Sequence, residues 1–144
     1  MSQFTRKYEK RVLLILVAFI LLFFGLSLYL HFVETAYISI FCYSLIHVKR
    51  INLSEDLLSA LVSGYAADLL WSIALVLVIQ AILWLRREKI WMLSLCSLLG
   101  IAYELMQFWG IANGTADIVD LTVYCIGSIL GIIIILGGNL YEKK

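Results

Sequence analysis

Carboxylates and one amide are the residues of this chain that could do chemistry. Glu104 stands three positions before Gln107, so both share one helix face, and Asp117 and Asp120 are spaced in the same way. A pair of carboxylates can exchange protons as an acid–base couple or hold Ca²⁺ or Mg²⁺ through oxygen ligands. The acids alone specify neither chemistry, and we take them as ligand-binding candidates. The five candidates are Asp68, Glu104, Gln107, Asp117 and Asp120.

The usual catalytic and metal-binding signatures are missing from the sequence. It has no H-E-x-x-H pair, no G-x-S-x-G elbow and no phosphate-binding loop. His31 and His47 have the wrong spacing for a compact metal site. Cys42, Cys96 and Cys125 are far apart in apolar surroundings, which favours packed thiols over disulfides or metal ligands. We therefore expect no metal or cofactor and assign no catalytic residue; the balance leans against an enzyme.

The composition indicates which solvent surrounds these residues. Of 144 residues, 63% are hydrophobic and 15% are charged, against about 45–50% and about 25% in a typical soluble domain. A globule of this size cannot bury so much apolar surface. The mean hydropathy of +0.99 therefore excludes both a soluble globular enzyme and a disordered chain. The net charge of +1 gives no indication of a nucleic-acid partner.

Four segments are long and apolar enough to cross a bilayer as helices. They are Val12 to Phe32, Ala66 to Leu85, Ile90 to Trp109 and Ile118 to Leu136. They predict an all-α, polytopic membrane protein in which residues 1–144 form a single membrane domain. The first segment is too long for a signal peptide and has no cleavage site after it, so it is expected to be a retained anchor. The residues Gly137-Gly138-Asn139 are expected to end the fourth helix.

The stretch between the first two spans is expected to be an interfacial or re-entrant segment. Asn52 and Glu55 have the spacing of a capping box, which predicts a short helix there. The apolar stripe of that helix would lie along the membrane surface. It comprises Leu53, Leu57, Leu58, Leu61 and Val62. The preceding residues, 35–48, are too few to span, and their re-entrant, interfacial and packed arrangements all stay open.

The basic residues predict the orientation. Nine of the eleven lysines and arginines precede the first span, separate the second from the third or close the chain. Both termini are therefore expected in the cytoplasm. At about 1.5 Å per residue, Asp68 and Asp120 then lie about 27 and 28 Å from the inner boundary, and Glu104 about 22 Å. We expect these acids to form an outward-facing polar crevice between the third and fourth helices.

Each acid also has a structural explanation to set against a functional one. Asp117 could be the N-cap of the fourth helix, and helix dipoles could stabilise Asp68 and Asp120 near helix N-termini. Glu104 lies near the C-terminal end of its helix, where the dipole disfavours an anion. It needs a proton, a cation, water or a donor such as Gln107 or Tyr124, and is the best functional candidate.

A stripe on the fourth helix combines these acids with small residues. Its members recur every three or four positions and are Asp117, Asp120, Tyr124, Gly127 and Gly131. The pattern G-x-x-x-G formed by Gly127 and Gly131 lets a second helix approach closely. We expect these two glycines to serve helix packing.

The run Tyr103-Glu-Leu-Met-Gln107, followed by Gly114-Thr-Ala-Asp117 and the G-x-x-x-G pattern, resembles the VanZ-like family of small bacterial membrane proteins. The resemblance covers residues 102–131, about a fifth of the chain. Many members have an arginine in the loop where this chain has Asn113 and Gly114, and many have an asparagine in place of Tyr124. The resemblance implies a place in the cell envelope and a link to glycopeptide resistance, because the founding member is associated with teicoplanin.

Three functions are compatible with these features. The first is a non-enzymatic protein of the bacterial cytoplasmic membrane whose crevice binds an amphiphile, a lipid-linked envelope molecule or the cationic group of a glycopeptide. The second is a membrane enzyme acting on a lipid-linked envelope substrate, with Glu104 as general acid or base. The third is an accessory subunit whose acids only cap and connect helices. The lipid bilayer is a partner in all three, and the oligomeric state stays open.

Overall fold

The computed structural model describes residues 3–32, 57–112 and 117–141, and these residues form an all-α bundle. The predicted fold class is therefore confirmed. The elements are α1 (Gln3–Phe32), α2 (Leu57–Leu83), a 3₁₀-helix (Arg87–Cys96), α3 (Ser97–Phe108) and α4 (Ile118–Gly137). The 3₁₀-helix and α3 follow each other directly and together form the third span.

Four helical segments are long and apolar enough to cross a membrane. They are Lys7–Tyr29, Tyr65–Leu83, Arg87–Phe108 and Ile118–Gly137. Large apolar side chains point away from the bundle. The exposed fraction of the residue is 65% for Phe19, 63% for Phe23 and 81% for Ile118. Such a surface is stable only against lipid, so the chain is a multi-pass membrane protein in contact with a bilayer.

Helix α2 is the central helix, and it contacts α1, α4 and the 3₁₀-helix. Small residues recur on one side of α2: Ala67, Ala74 and Ala81 are spaced seven positions apart and are all buried. On α1, Gly25 lies so close to the indole of Trp71 that a Cβ there would collide with it. Between two helices in lipid, such small residues supply the van der Waals contact that replaces a hydrophobic driving force.

The third span changes its helical type midway, which the sequence did not predict. Its first ten residues form a 3₁₀-helix, although such runs rarely exceed three or four residues. Residues three apart eclipse one another in this geometry, and Ile90 and Leu93 accordingly both face the core. From Lys89, seven steps of about 2.0 Å and eight of about 1.5 Å put Glu104 about 26 Å along the axis. The 3₁₀-helix therefore brings Glu104 closer to the expected level of Asp68 and Asp120.

Helix α2 begins earlier than its apolar pattern predicts. Residues 57–64, expected in a separate surface helix, are the first two turns of α2 and continue without interruption to Leu83. The prediction of a separate helix was therefore wrong for these residues, because polar positions such as Ser63 interrupt the hydropathy but not the backbone hydrogen bonding. The expected capping box of Asn52 and Glu55, and the segment 35–51, lie outside the described residues.

The end of α4 forms as predicted, within the run Gly137-Gly138-Asn139. Asn139 has a φ of +51° and occupies the left-handed position that glycine usually takes. The amide of Leu140 donates to Ile135 at 2.9 Å and that of Asn139 to Leu136 at 3.2 Å, which is the Schellman pattern. The carbonyl of Leu140 accepts from the buried side chain of Gln80 at 2.8 Å. The chain beyond α4 is thereby fixed to the end of α2.

The two described cysteines, Cys96 and Cys125, are free thiols. Cys96 packs against the core, as predicted. Cys125 is exposed on the outer surface of α4, so the expectation of a packed thiol was wrong there. An apolar neighbourhood in the sequence does not distinguish a residue facing the bundle from one facing lipid, because both surroundings are apolar.

Candidate functional site

Three helices bring acidic side chains together at one end of the bundle. Asp68 on α2 lies close enough to Glu104 on α3 and Asp120 on α4 to be repelled by both charges. The phenol of Tyr124 lies within electrostatic range of the same three carboxyl groups. We call Asp68, Glu104, Asp117 and Asp120 the acidic cluster. The expectation that residues of three spans meet at one level agrees with this arrangement.

Glu104 is the most buried member of the acidic cluster, with 4% of its surface exposed. Its carboxylate Oε2 accepts a hydrogen bond from the backbone N–H of Asp117 at 3.1 Å. This donor was not among those considered from the sequence, because the N–H belongs to a residue 13 positions away. The bond lets Glu104 hold the start of α4 against α3, and it compensates part of the cost of burying the side chain.

Asp117 caps α4, as one of its two readings predicts. Its Oδ1 accepts from the amide of Val119 at 2.9 Å, and its Oδ2 accepts from the hydroxyl of Tyr65 at 3.2 Å. With the bond from its own amide to Glu104, Asp117 connects α2, α3 and α4. Both of its oxygens accept a hydrogen bond, which gives Asp117 a structural role in connecting the helices.

Asp68 and Asp120 differ from these two connected acids. Asp68 lies eleven residues beyond Leu57, three turns into α2, so its explanation by a helix N-terminus was wrong: the dipole effect falls off within the first turn. Asp120 does lie in the first turn of α4. Both side chains are half-buried. Within the described ranges, no hydrogen-bond donor contacts either carboxylate.

The small-residue stripe of α4 packs on α2. A Cβ at Gly127 would lie 2.5 Å from that of Ser72, and one at Gly131 would lie 2.8 Å from that of Val76. The glycines of this stripe therefore contact α2 and not the third helix, while the expected crevice between the third and fourth helices stays a prediction. The packing function of both glycines is as predicted.

Tyr124 lies between α2 and α3. Its ring packs on Gly100 of α3 so closely that a Cβ there would collide with it, and its carbonyl accepts from the Ser72 hydroxyl at 3.2 Å. Gln107 lies one turn beyond Glu104 and is half-buried. The side chains of His31 and Glu34, which were considered as additions to the cluster, lie outside the described residues.

The residues that the sequence reasoning missed are on α2. Tyr65, Ser72 and Val76 are the missed residues, and together with the predicted candidate Asp68 they recur every three or four positions on one face. This face runs parallel to the stripe of α4, because Tyr65 contacts Asp117, Ser72 contacts Gly127 and Val76 contacts Gly131. The matched spacing of the two stripes is the signal that could have revealed this pairing.

Metal binding receives no support from the geometry. In the described segments, no group of three or more His, Cys, Asp or Glu residues has an arrangement that could hold a metal ion. The four carboxylates of the acidic cluster belong to three different helices that meet at one end of the bundle.

Comparison with known proteins adds no relative. No protein-family model, curated protein or solved structure matches the chain. The resemblance to the VanZ-like family therefore stays a proposal that rests on the motifs around Glu104 and Asp117.

Proposed function

We propose that this protein is a VanZ-like protein of the bacterial cytoplasmic membrane in which Asp68 and Asp120 of the acidic cluster bind the cationic group of an amphiphilic ligand. The observation that carries the proposal is the pair Asp68 and Asp120. These half-buried carboxylates come from different helices, lie within electrostatic range of each other and receive no hydrogen bond within the described part of the chain. Carboxylates at membrane depth are costly unless they are compensated, and a cationic group would supply that compensation.

The surrounding groups favour a bound amphiphile over a free ion. The side chains of Tyr103, Met106 and Ile118, which neighbour Glu104 and Asp117 in the sequence, are exposed and would be available to an apolar chain. A ligand with one cationic group and an apolar chain would satisfy both surfaces at once. Lys49 and Arg50, the two cations expected on this side of the membrane, lie outside the described residues.

Binding is favoured over catalysis because of the environment of Glu104. A general acid or base must reach its substrate at hydrogen-bond distance, whereas Glu104 is buried and is bonded to the amide of Asp117. We therefore assign ligand contact to Asp68 and Asp120, and assign to Glu104 and Asp117 the task of holding the three helices together. Gln107 stays a ligand candidate at the edge of the cluster.

The cellular setting of the proposal comes from the sequence. The concentration of lysine and arginine at one end of the spans favours cytoplasmic termini, and the acidic cluster then faces outward. The VanZ-like motifs favour an envelope function linked to glycopeptides of the teicoplanin type. A reporter that is active only outside the cytoplasm should be inactive when it is fused after Lys144. An active reporter would mean that the predicted orientation is wrong.

The proposal is tested by removing the charges of Asp68 and Asp120. The double variant Asp68→Asn and Asp120→Asn keeps the side-chain sizes and should bind a cationic amphiphile such as dodecylamine at least about tenfold more weakly than wild type. A tenfold loss of affinity corresponds to about 1.4 kcal/mol of binding free energy, which is close to the lower limit for a hydrogen bond to a charged group. Equilibrium dialysis of the full chain in phosphatidylcholine nanodiscs measures the affinity. Glu88→Gln is the matched control, since it removes an exposed carboxylate at the opposite end.

The same variants test the cellular function. If wild type changes teicoplanin susceptibility, the double variant should lose the change at equal protein levels, and Glu88→Gln should keep it. Unchanged binding and susceptibility in the double variant would refute the site. Loss of protein abundance in step with the phenotype would favour the accessory-subunit alternative, and turnover of a lipid-linked substrate that Glu104→Gln abolishes would favour the enzyme.

A further inference from the structure

The end of the bundle opposite the acidic cluster collects cationic side chains around one buried tryptophan. The Nζ of Lys7 lies 6.0 Å from the ring centroid of Trp84, and the Cζ of Arg11 lies 5.5 Å from it. Lys10 donates from Nζ to the carbonyl of Asn139 at 2.7 Å. The first turns of α1 thus direct three cations to the place where α2 and α4 end. We call Lys7, Lys10, Arg11 and Trp84 the basic pocket.

Trp84 is held firmly in this position. Only 5% of its surface is exposed, and its backbone has a φ of +48°, in the left-handed region that tryptophan rarely adopts. Its amide donates to the carbonyl of Gln80 at 2.7 Å, and the side chain of Gln80 bonds both backbone groups of the next residue, Leu85. A strained conformation persists only where its surroundings determine it, so the indole is a fixed surface for the cations.

Arg11 has a buried hydrogen-bond donor with no acceptor among the described residues. The donor is the N–H at its Nε atom. Leaving a buried donor without an acceptor costs about 1–3 kcal/mol, and more for a charged group. The contact with the Trp84 ring stabilises the charge of the guanidinium but cannot accept the N–H bond at Nε. An acceptor oxygen at this position would remove the cost.

The basic pocket lies where lipid headgroups lie. Lys7 begins the first candidate span, and Arg87 begins the third, so both mark the same boundary of the apolar region. Arg86, Arg87 and Lys89 add three exposed cations on the adjoining connection. The carboxylates described at this end, Glu9 and Glu88, are both exposed. The local charge is therefore positive, which attracts anionic lipids.

We propose that the basic pocket binds the phosphate group of an anionic phospholipid, with the Nε–H of Arg11 donating to a phosphate oxygen. The planar guanidinium fork matches the geometry of phosphate, and its hydrogen bonds to anions are among the strongest in proteins. Lys7 supplies a second positive charge beside the same indole. The lipid tails would lie along the exposed apolar surface of α1, which includes Leu13 and Leu16. This site is distinct from the acidic cluster and does not depend on the function proposed for it.

Native mass spectrometry of the full chain, released from dodecyl maltoside, tests this proposal. Dioleoylphosphatidylglycerol, dioleoylphosphatidylcholine and inorganic phosphate are added in separate arms. The first phosphatidylglycerol should bind wild type at least about tenfold more tightly than the first phosphatidylcholine. Arg11→Gln should weaken phosphatidylglycerol by about tenfold or more, which is the loss of one charge-assisted hydrogen bond. Inorganic phosphate should not displace the lipid.

Arg87→Gln is the matched control, because it removes the same charge from an exposed position at the same end of the bundle. Its affinity should stay within about twofold of wild type. Equal losses in the two variants would mean a diffuse electrostatic effect and would overturn the pocket, as would displacement of the lipid by inorganic phosphate. If Arg11→Gln loses its helical circular dichroism, Arg11→Lys replaces it, since it keeps the charge but lacks the Nε–H fork. Wild-type affinity in a folded Arg11→Lys would overturn the assignment of Arg11.

Discussion

Alanine in place of Gly127 should separate α4 from α2. The added Cβ would lie 2.5 Å from the Cβ of Ser72 and 3.0 Å from the carbonyl oxygen of Leu69, whereas ordinary contact begins near 3.4 Å. No change of rotamer relieves this overlap, because a Cβ and a carbonyl are fixed to the backbone. The two helices must therefore move apart by about 1 Å at this point.

Three terms determine the size of the effect. Overpacking a fitted interface costs about 1–3 kcal/mol. Separation also weakens the hydrogen bond from Ser72 to the carbonyl of Tyr124, now 3.2 Å long, which contributes about 0.5–1.5 kcal/mol. Alanine recovers about 1 kcal/mol through its higher helix propensity. We expect Gly127→Ala to lower the free energy of unfolding by about 2 kcal/mol.

Gly137 in the same helix provides the matched control. A Cβ there meets nothing within 4 Å, so Gly137→Ala should leave stability unchanged or raise it by up to about 1 kcal/mol. Thermal unfolding of both variants in dodecyl maltoside, followed by helical circular dichroism, measures the difference. Equal stability of the two variants would refute the close packing of α4 on α2.

Gly127→Ala should also change the geometry of the acidic cluster. Asp120 lies two turns before Gly127 on α4, so a shift of this helix moves Asp120 relative to Asp68 on α2. We expect Gly127→Ala to weaken the binding of a cationic amphiphile, and Gly137→Ala to leave it unchanged. Wild-type affinity in a destabilised Gly127→Ala variant would mean that the two carboxylates do not act together.

Three further substitutions test the connections at either end of α2. Gln80→Leu leaves the amide and carbonyl of Leu85 and the carbonyl of Leu140 without a partner, and should destabilise the protein by about 3 kcal/mol; slow amide exchange at Leu85 in this variant would contradict the loss. Tyr65→Phe removes the hydroxyl that donates to Asp117 and should cost about 1 kcal/mol in thermal unfolding. Asp117→Ala removes both the bond from Tyr65 and the helix cap, and should cost about 2 kcal/mol. Equal losses of stability in Tyr65→Phe and Asp117→Ala would exclude a contribution from capping.

The sequence was sufficient where a local pattern carried the information. Long apolar runs predicted four membrane-crossing helices, since the thickness of a bilayer sets their length. Asp117 was predicted as an N-cap because it immediately precedes an apolar helix, and it caps α4. The close packing of Gly127 and Gly131 followed from their spacing, although the sequence did not say which helix they contact.

The sequence was insufficient where the hydropathy pattern does not determine the backbone geometry. Polar residues before Tyr65 interrupt the apolar pattern, so the sequence predicted a start near Ala66 and placed Asp68 at a helix N-terminus. Helix α2 in fact begins at Leu57, and Asp68 lies three turns inside it. The 3₁₀-helix also escaped prediction, because no residue in the segment Arg87–Cys96 distinguishes a 3₁₀-helix from an α-helix. Cys125 faces outward from α4, and apolar neighbours in the sequence do not distinguish lipid from core.

The sequence by itself thus determined the solvent, the number of spans and the end of the bundle at which acids gather, because each depends on composition and on distance along one helix. The tertiary structure decided how the acids divide. The amide of Asp117 meets Glu104 across 13 residues, and Tyr65 meets Asp117 across 52, so these acids connect helices, while Asp68 and Asp120 accept no hydrogen bond from the described residues. It also brought Arg11 to Trp84. Such contacts join residues distant in the chain, and only the packing of the helices brings them together.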